Sequence, residues 1–349
     1  MDITTQRLHN QHLTHQPLND PASIVQHLGA VQAQEYAHAK WAIGMRSLDL
    51  TDADIEKAIA DGEIIRTHLM RPTWHFVARD DIRWMLELTG PRVHTANNHY
   101  YKQSGLDTNT LKRSNDLMAN ALQGENFLTR KDLLAILERE GIPAGDTIRS
   151  SYIMMYAELE GVICSGPRKG KQFTYALISE RAPKARTLAH DEALAELVKR
   201  YFSSHGPATI ADFVWWSGLT VADTKRGLEL NNAHLDSDTI DGTEYYFLSI
   251  TSAESPVDAS KTAYLLPIYD EYGNAYKRRE ALFDPSYDVQ AKAGKLPTLP
   301  FQCQLVIGGK MLGTWKRTHT KNEVQVEAYY YRPLTQTEET ALYEDVARY

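Results

Sequence analysis

Two glutamines separated by one residue, Gln32 and Gln34, are the residues whose spacing bears most directly on chemistry. They follow an apolar pattern typical of a helix, formed by Ile24, Leu28 and Val31. On a continuing helix, side chains two residues apart point about 200° away from each other, whereas in an extended segment they share one face. Two alternatives follow. Either one glutamine is an ordinary surface residue, or the helix stops near Val31 and presents both amides together.

Basic and hydrogen-bonding side chains are concentrated in two segments that the sequence predicts to be hairpins. The first contains Arg66, Arg71, Thr73 and His75, and the second contains Arg168, Lys169 and Lys171 in a turn flanked by glycines. Side chains of these types at the edge of a DNA-binding domain contact the phosphate backbone. The alternative is that both segments are surface hairpins with alternating polar residues.

A third group joins acidic to basic residues. Asp270, Glu271 and Tyr272 precede the basic cluster of residues 277–279. The acidic pair could form ion pairs with this cluster and so have a structural role, or it could belong to a loop that takes part in a reaction. Both alternatives remain open at this stage.

The composition indicates a soluble globular protein of several domains. The chain has 349 residues, of which 42% are hydrophobic and 24% charged, and its formal charge is −7. Two cysteines exclude a disulfide framework and a four-cysteine zinc site, and His9, His12 and His15 lie in a polar stretch that we expect to be solvated. We therefore expect a cytoplasmic monomer with no cofactor, no metal and no membrane partner.

Helix-capping signals divide the chain into repeated units. A threonine followed three residues later by an aspartate is a pattern typical of a helix N-terminus, and it occurs at Thr51, Thr129, Thr209 and Thr220. Two helices and a hairpin follow one another twice, and more loosely a third time near the N-terminus. This order is that of a winged helix-turn-helix unit.

The fold class predicted from this repeat is α+β, with three tandem winged helix-turn-helix units and a β-rich C-terminal region. The predicted boundaries are residues 1–105 for the first unit with an N-terminal arm, 106–182 for the second, 183–255 for the third, and 256–349 for the C-terminal region with a closing helix. The tail is assigned to β-structure because prolines interrupt it and because its apolar runs alternate around the Gly308-Gly309 turn.

Several of these segments also fit one protein family, and they occur in this order: Arg7-Leu8-x-Asn10-Gln11-x-Leu13, Leu28-Gly29-Ala30-Val31-Gln32-Ala33-Gln34, Trp41-Ala42, Met70-Arg71-x-Thr73-x-His75, Leu266-Pro267-x-x-Asp270-Glu271-Tyr272 and Gly313-Thr314-Trp315. Together they resemble the winged-helix DNA-binding proteins of the AlkZ-like type. That family contains DNA glycosylases that unhook interstrand crosslinks and remove alkylated purines. One difference is Pro72, where family members commonly have a small residue.

The resemblance implies that Gln32 and Gln34 are catalytic and that duplex DNA is the partner. Trp41 and Arg46 join the hairpin residues as expected DNA contacts. The expected reaction is hydrolysis of the N-glycosidic bond of a purine alkylated at N7 or N3. In it the two glutamines hold the attacking water, and their amide oxygens can also face the developing positive charge. Two alternatives remain, a winged-helix regulator without catalysis and a scaffold that binds proteins.

Overall fold

The computed structural model describes residues 2–14, 18–249, 262–284, 286–287, 302–321 and 323–348. The helices of this part are α1 (Ile3–Asn10), α2 (Pro21–Leu28), α3 (Tyr36–Gly44), α4 (Asp52–Ala60), α5 (Ile82–Gln103), α6 (Thr108–Leu122), α7 (Arg130–Arg139), α8 (Thr147–Leu159), α9 (Ile178–Arg181), α10 (His190–Ser204), α11 (Ile210–Ser217), α12 (Val221–Leu230), α13 (Glu271–Asn274) and α14 (Gln336–Arg348). The strands are β1 (Val31–Gln32), β2 (Ile64–Leu69), β3 (Thr73–Ala78), β4 (Leu128–Thr129), β5 (Ile163–Ser165), β6 (Thr174–Leu177), β7 (Leu235–Ile240), β8 (Thr243–Leu248), β9 (Ala263–Leu266), β10 (Cys303–Ile307), β11 (Lys310–His319) and β12 (Val324–Tyr330).

One order of elements occurs at three places in the chain. A helix, a short strand, two helices and a hairpin follow one another in residues 21–78, 108–177 and 190–248, which we call the first, second and third repeats. The first two repeats have three-stranded antiparallel sheets with the orders β1-β3-β2 and β4-β6-β5. In the third, an isolated bridge from Ala208 to Tyr246 takes the place of the short strand beside the hairpin β7-β8. The short strand therefore lies next to the second strand of the hairpin each time.

The four threonine–aspartate signals each cap a helix. Thr51, Thr129, Thr209 and Thr220 accept a hydrogen bond from the backbone N–H of the aspartate three residues later, and that aspartate accepts one in return. This reciprocal arrangement satisfies two donors that a helix start would otherwise leave unpaired. The prediction of these four helix starts is confirmed.

The N-terminal stretch is not solvated as expected. Helix α1 begins after Asp2, which accepts hydrogen bonds from the first turn, and Leu8 is fully buried. Arg7 is also buried, and its Nε donates to the Pro207 carbonyl oxygen over 2.9 Å. The ring centres of His12 and His27 lie 4.2 Å apart. His15 is outside the described residues.

The 22-residue helix α5 was absent from the sequence-based interpretation. It contains Gly90 and Pro91, which ordinarily indicate a break. Helix α5 packs against α8, and a Cβ at Gly90 would lie 3.2 Å from the Leu159 carbonyl oxygen. The glycine therefore permits the close approach of two helices rather than marking a turn.

The C-terminal region forms a four-stranded antiparallel sheet in the order β12-β11-β10-β9. Helix α14 packs against β9, where Asp345 accepts the Leu265 N–H over 2.8 Å. The expected hairpin over Gly308-Gly309 and the closing helix are both present. The boundary expected at residue 256 lies outside the described residues, and the boundaries expected near residues 105 and 182 stay predictions. Among the described helices, none is long and apolar enough to cross a membrane.

Candidate active site

The glutamine segment, residues 31–34, begins just after helix α2 ends at Leu28. Gly29 follows with a φ of 80°, a left-handed conformation that favours glycine. A side chain here would also come within 3.2 Å of the Trp216 ring. The chain then becomes extended and pairs with β3. The helix therefore ends before Gln32, as the second sequence-based alternative required.

The side chain of Gln32 is 8% exposed, and two donors hold its oxygen. Asn274 Nδ2 donates to Gln32 Oε1 over 2.6 Å, and Arg71 NH2 donates to the same oxygen over 3.2 Å. An arginine can only donate, so this contact fixes which end of the amide is the oxygen. No hydrogen bond from the described residues engages Gln32 Nε2, so the amide has a donor to offer rather than an acceptor.

The carboxylate of Glu271 lies behind the glutamine segment. Its Oε1 accepts the Gln32 backbone N–H over 3.1 Å. Its Oε2 accepts the Trp216 indole N–H over 2.9 Å and lies 3.3 Å from His205 Nε2. Burial raises the pKa of Glu271. The hydrogen bond and charge of His205 and the hydrogen bond from the Gln32 N–H lower it by more, so the net pKa is below its ordinary value. Glu271 therefore places a negative charge beside the segment at neutral pH.

Arg66, on β2 of the first repeat, contacts the middle of the segment. Its Nε donates to the Ala33 carbonyl oxygen over 3.0 Å. The guanidinium carbon lies 4.5 Å from the centre of the Trp74 ring and 4.9 Å from that of Phe173. Burial lowers the pKa of Arg66. Because the guanidinium is packed between two rings, its direction toward the carbonyl oxygen is fixed.

Arg71, between β2 and β3 of the same repeat, contacts the segment at Gln32. Besides its bond to Gln32, its guanidinium carbon lies 5.5 Å from the centre of the Trp215 ring. Burial lowers the pKa of Arg71, and the charge of Glu271 opposes this effect. The two arginines therefore contact adjacent residues of the same segment and place two positive charges beside it.

Gln34 differs from Gln32 although only Ala33 separates them. Its side chain is exposed and makes no hydrogen bond to any residue that the structure describes. Both the donor and the acceptor of its amide are therefore available to a ligand. The prediction that the two glutamines act together on one ligand stays a prediction.

The structure corrects the assignment of Arg46 as a DNA contact. Arg46 is 1% exposed, and its two terminal nitrogens donate to the Asp270 carboxylate over 2.8 and 2.9 Å. A side chain enclosed in this way cannot reach a phosphate. Arg46 instead anchors α13, which carries Glu271 and Asn274, to the end of α3.

The other expected DNA contacts of the first repeat have different environments. His75 is buried opposite Gln32 in the β1–β3 pairing, and burial lowers its pKa to about 4, so it cannot contact DNA as a surface cation. Thr73 is half-buried, and its carbonyl oxygen lies 3.0 Å from His75 Nδ1. Trp41 is half-buried, and its indole N–H donates to the Leu265 carbonyl oxygen over 2.9 Å.

The structure does not show the first alternative for the acidic pair, ion pairs with residues 277–279. Asp270 binds Arg46, and Glu271 contacts the glutamine segment. Tyr272 is fully buried, and its hydroxyl donates to the Gly309 carbonyl oxygen over 2.7 Å. Asp270 therefore anchors α13 to Arg46, Glu271 belongs to the candidate site, and Tyr272 is part of the core.

Only part of the turn that contains Arg168, Lys169 and Lys171 is exposed to solvent. Arg168 is half-buried, and its NH1 lies 3.6 Å from Glu56 Oε2 of the first repeat. Its guanidinium packs over the ring of Tyr36, also of the first repeat, and over that of Phe173 of its own repeat. Lys169 and Lys171 are exposed at the tip. The two lysines are therefore the residues of this turn that remain accessible to a phosphate.

Sequence reasoning did not identify Asn274, His205 or Trp216 as site residues. A usable signal was present for Asn274, because it lies three residues after Glu271 and a single helical turn brings both to one face. No comparable signal exists for His205 and Trp216, which reach Glu271 from the third repeat. In the described residues, no group of three or more potential ligands is arranged to hold a metal ion.

The model of the AlkZ-like DNA glycosylase family matches residues 25–349, which is nearly the whole chain. The chain therefore belongs to the AlkZ-like family of DNA glycosylases.

A curated protein and a solved structure, both from Streptomyces sahachiroi, can be compared with it. A protein described as an interstrand DNA cross-link repair glycosylase is 25% identical over 219 residues, which are 61% of this chain and 59% of the relative. The match thus spans less than two thirds of that relative's length. The solved structure of the DNA glycosylase AlkZ is similar with a TM-score of 0.82, at 20% identity, over 99% of this chain and 94% of that one. This likeness shows a shared fold.

Proposed function

We propose that this protein is a monofunctional DNA glycosylase that hydrolyses the N-glycosidic bond of purines alkylated at N7 or N3. The observation that carries the proposal is the glutamine segment, which two arginines contact at adjacent residues while an ionised carboxylate accepts its backbone N–H. The family membership supports the reaction class. We also interpret the three repeats as winged helix-turn-helix units that bind duplex DNA.

The substrate chemistry suits a site without a strong acid or base. A purine alkylated at N7 or N3 is cationic, and the electron pair of the breaking bond neutralises it as it leaves. Little protonation of the leaving group is needed. The sugar becomes an oxocarbenium-like cation, water adds to its anomeric carbon, and the released proton passes to solvent. The site must therefore orient a water molecule and stabilise a positive charge.

The contacts of the two glutamines suggest different roles. Since Gln32 Oε1 is already occupied, Gln32 Nε2 donates to the oxygen of the attacking water. Gln34 has a free amide oxygen and accepts a hydrogen bond from an O–H of the same water. Both roles are orientation rather than proton transfer. Glu271 stabilises the cationic sugar electrostatically from behind the segment. This assignment differs from the expectation that both amide oxygens can face the developing charge.

An open site would admit bulky lesions, including crosslinks. At least five cavities of about 240 to 740 Å³ lie among the described residues, and neither glutamine lines any of these five. The exposure of Gln34 is the observation that favours an open site, because a base held beside an exposed side chain need not be enclosed. The description of the Streptomyces relative as a cross-link repair glycosylase is compatible with this proposal.

The test is release of alkylated base from methylated duplex DNA under single-turnover conditions. Gln34→Ala should lower the rate by about 10²-fold, the size expected for the loss of one orienting group. Gln32→Ala should lower it at least as much, because it also removes the partner of Arg71 and Asn274. Gln123→Ala, at an exposed glutamine after α6, is the matched control and should leave the rate unchanged.

Full activity in both catalytic-segment variants would contradict the assignment of the glutamines. No release by the wild-type protein from any alkylated duplex would contradict the proposed function itself. We also expect chelation of divalent metals to leave the rate unchanged, because none of the proposed steps uses a metal.

DNA binding can be tested separately at the second hairpin. Reversal of Lys169 and Lys171 to glutamate should reduce the salt dependence of duplex affinity by about 0.9 for each phosphate that the variant no longer binds. Arg168 is left intact because it packs on the first repeat. An unchanged salt dependence would remove this hairpin from the proposed DNA-binding surface.

A further inference from the structure

Two exposed aromatic rings flank the glutamine segment. Phe173 is 40% exposed and Trp215 is 41% exposed, although most large apolar side chains of the three repeats are buried. Phe173 belongs to the second repeat and Trp215 to the third, whereas the segment belongs to the first. Each ring packs against one of the two arginines that hold the segment.

Phe173 is connected to the segment through Arg66. The ring lies 4.9 Å from the Arg66 guanidinium carbon, and that guanidinium donates to the Ala33 carbonyl oxygen. The ring also meets the edge of Tyr36, with centres 5.0 Å apart. Arg168 packs over it at 5.5 Å. Phe173 is therefore fixed by three neighbours on its inner side while much of it faces solvent.

Trp215 is connected to the segment through Arg71 and Asn274. Its indole N–H donates to the Asn274 carbonyl oxygen over 3.2 Å, so the orientation of the ring is set. Its ring centre lies 5.5 Å from the guanidinium carbon of Arg71 and 6.0 Å from that of Arg279. The contacts with Arg71 and Asn274 both lead directly to Gln32.

We propose that Phe173 and Trp215 are stacking platforms for nucleobases of the damaged duplex on the two sides of the glutamine segment. This inference rests on the proposed function and specifies how that site recognises its substrate. The occupant must offer flat apolar faces for the rings and negative charge for the neighbouring arginines. A strand of DNA with bases unstacked at a lesion combines both features, because its bases present faces and its phosphates pair with cations.

The proposal makes the rings specificity-determining residues for distorted DNA. In an intact duplex both faces of each base are covered by its neighbours, so the rings would gain little. At a lesion the stacking is already weakened, and an exposed base can exchange a base neighbour for a protein ring. The rigid positions of both rings reduce the entropy lost on binding.

The test compares variants that lose the ring with variants that keep it. Phe173→Leu and Trp215→Leu keep an apolar side chain without an aromatic face, and Phe173→Tyr and Trp215→Phe keep a ring. The probe is a duplex with a central tetrahydrofuran abasic analogue flanked by 2-aminopurine, whose fluorescence reports stacking. We expect each leucine variant to bind this probe about 5- to 100-fold more weakly and to change its fluorescence less, and the ring-retaining variants to recover most of both.

Affinity for an undamaged duplex should change much less in the same variants. Tyr343→Leu, at an exposed ring on α14, is the matched control and should behave like the wild type. Wild-type affinity and fluorescence change in both leucine variants would overturn the inference. Equal weakening for damaged and undamaged duplexes would also overturn it, because the rings would then be general contacts.

The binding assay involves no bond cleavage, so its result is separate from that of the proposed function. If the wild-type protein binds the probe with the expected fluorescence change but releases no alkylated base, the stacking inference stands and the glycosylase proposal fails. If it releases base while the leucine variants bind the probe normally, the glycosylase proposal stands and the stacking inference fails.

Discussion

The first and third repeats share one order of elements but differ where the short strand leads into the next helix. In the third repeat, Thr209 follows the bridge at Ala208 and immediately caps α11 through its exchange with Asp212. In the first repeat, residues 33–35 lie between β1 and α3, and the N-cap residue Glu35 makes no side-chain cap bond. The same junction is thus optimised as a helix start in one repeat and left uncapped in the other.

The comparison indicates how the proposed catalytic segment is placed on a repeated scaffold. The extra residues of the first repeat are those that contain Ala33 and Gln34. The glutamine segment to which they belong is held by residues far away in the sequence, namely Arg66 at Ala33 and both Arg71 and Glu271 at Gln32, rather than by local capping. On this interpretation, the junction after the short strand depends on tertiary contacts in the first repeat and on its own cap in the third.

The largest expected effect is at the contact that attaches α13 to the first repeat. Asp270→Ala leaves the buried guanidinium of Arg46 without its carboxylate, and removal of one partner of a buried ion pair typically costs about 3–5 kcal/mol in the free energy of unfolding. Urea unfolding measures this loss. Base release should fall with it, because α13 carries two contacts of Gln32.

The matched control for this variant is an ion pair on the surface of the third repeat. Asp191→Ala removes the partner of Arg226, and both side chains of that pair are exposed. The urea midpoint of this variant should stay close to that of the wild type. Similar losses in the two variants would contradict the view that the buried contact between α13 and the first repeat contributes more to stability than an exposed ion pair of the third repeat.

The second prediction concerns acid. Burial lowers the pKa values of His75 and His27, both in the first repeat, to about 4. The unfolded chain binds protons at these sites below about pH 6.5 and the folded chain does not, so stability falls as the pH is lowered from about 6.5 to about 4. Each histidine then contributes a loss of up to about 3 kcal/mol.

Hydrogen exchange at several pH values, corrected for the intrinsic rate, checks this prediction. The amides of β2 and β3 should lose protection on acidification before those of α10. His75→Phe should reduce the pH dependence of the free energy of unfolding between about pH 6.5 and 4. An equal loss of protection in both repeats would show that the effect is global.

The third prediction removes a cap in the third repeat. Thr209→Ala deletes the donor and acceptor of a buried capping pair, and we expect a loss of about 1–2 kcal/mol in the free energy of unfolding. Thr129→Ala removes the corresponding but exposed pair of the second repeat, and its loss should be smaller. Thermal unfolding of both variants provides the measurement. Equal losses would show that burial of the cap is unimportant.

The contacts that produce these effects also explain what the sequence could predict. Thr209 and Asp212 are three residues apart, so their interaction is decided locally and their spacing predicts a helix start. The same holds for the hairpins, whose strands are joined by short turns. Local patterns therefore predicted most helices and strands of the three repeats.

The residues that the sequence misplaced depend on distant partners. In the sequence Arg46 looks like a surface cation, because its partner Asp270 lies more than 200 residues away along the chain. The contact between Glu271 and Gln32 spans a similar sequence separation. Helix α3 was not predicted because it starts without a cap signal. The sequence could therefore suggest the two glutamines, whose spacing is local and whose catalytic role stays a prediction, but it could not predict the contacts that hold them.

The smallest expected effect tests whether the missing cap of the first repeat can be supplied. Glu35 has extended backbone angles, φ −100° and ψ 95°, which suit an N-cap residue. Glu35→Ser places a hydroxyl where it can accept a hydrogen bond from a backbone N–H of the first turn of α3, and we expect a gain of about 0.5–1 kcal/mol in the free energy of unfolding.

Ala189→Ser is the matched control, because α10 also starts without a side-chain cap and lies outside the site. Both variants should become more stable in urea, but only Glu35→Ser should lower the rate of base release, because it restrains the residue next to Gln34. A gain in stability with unchanged base release would show that the open helix start has no role in the site, and no gain in either variant would contradict the comparison of the two junctions.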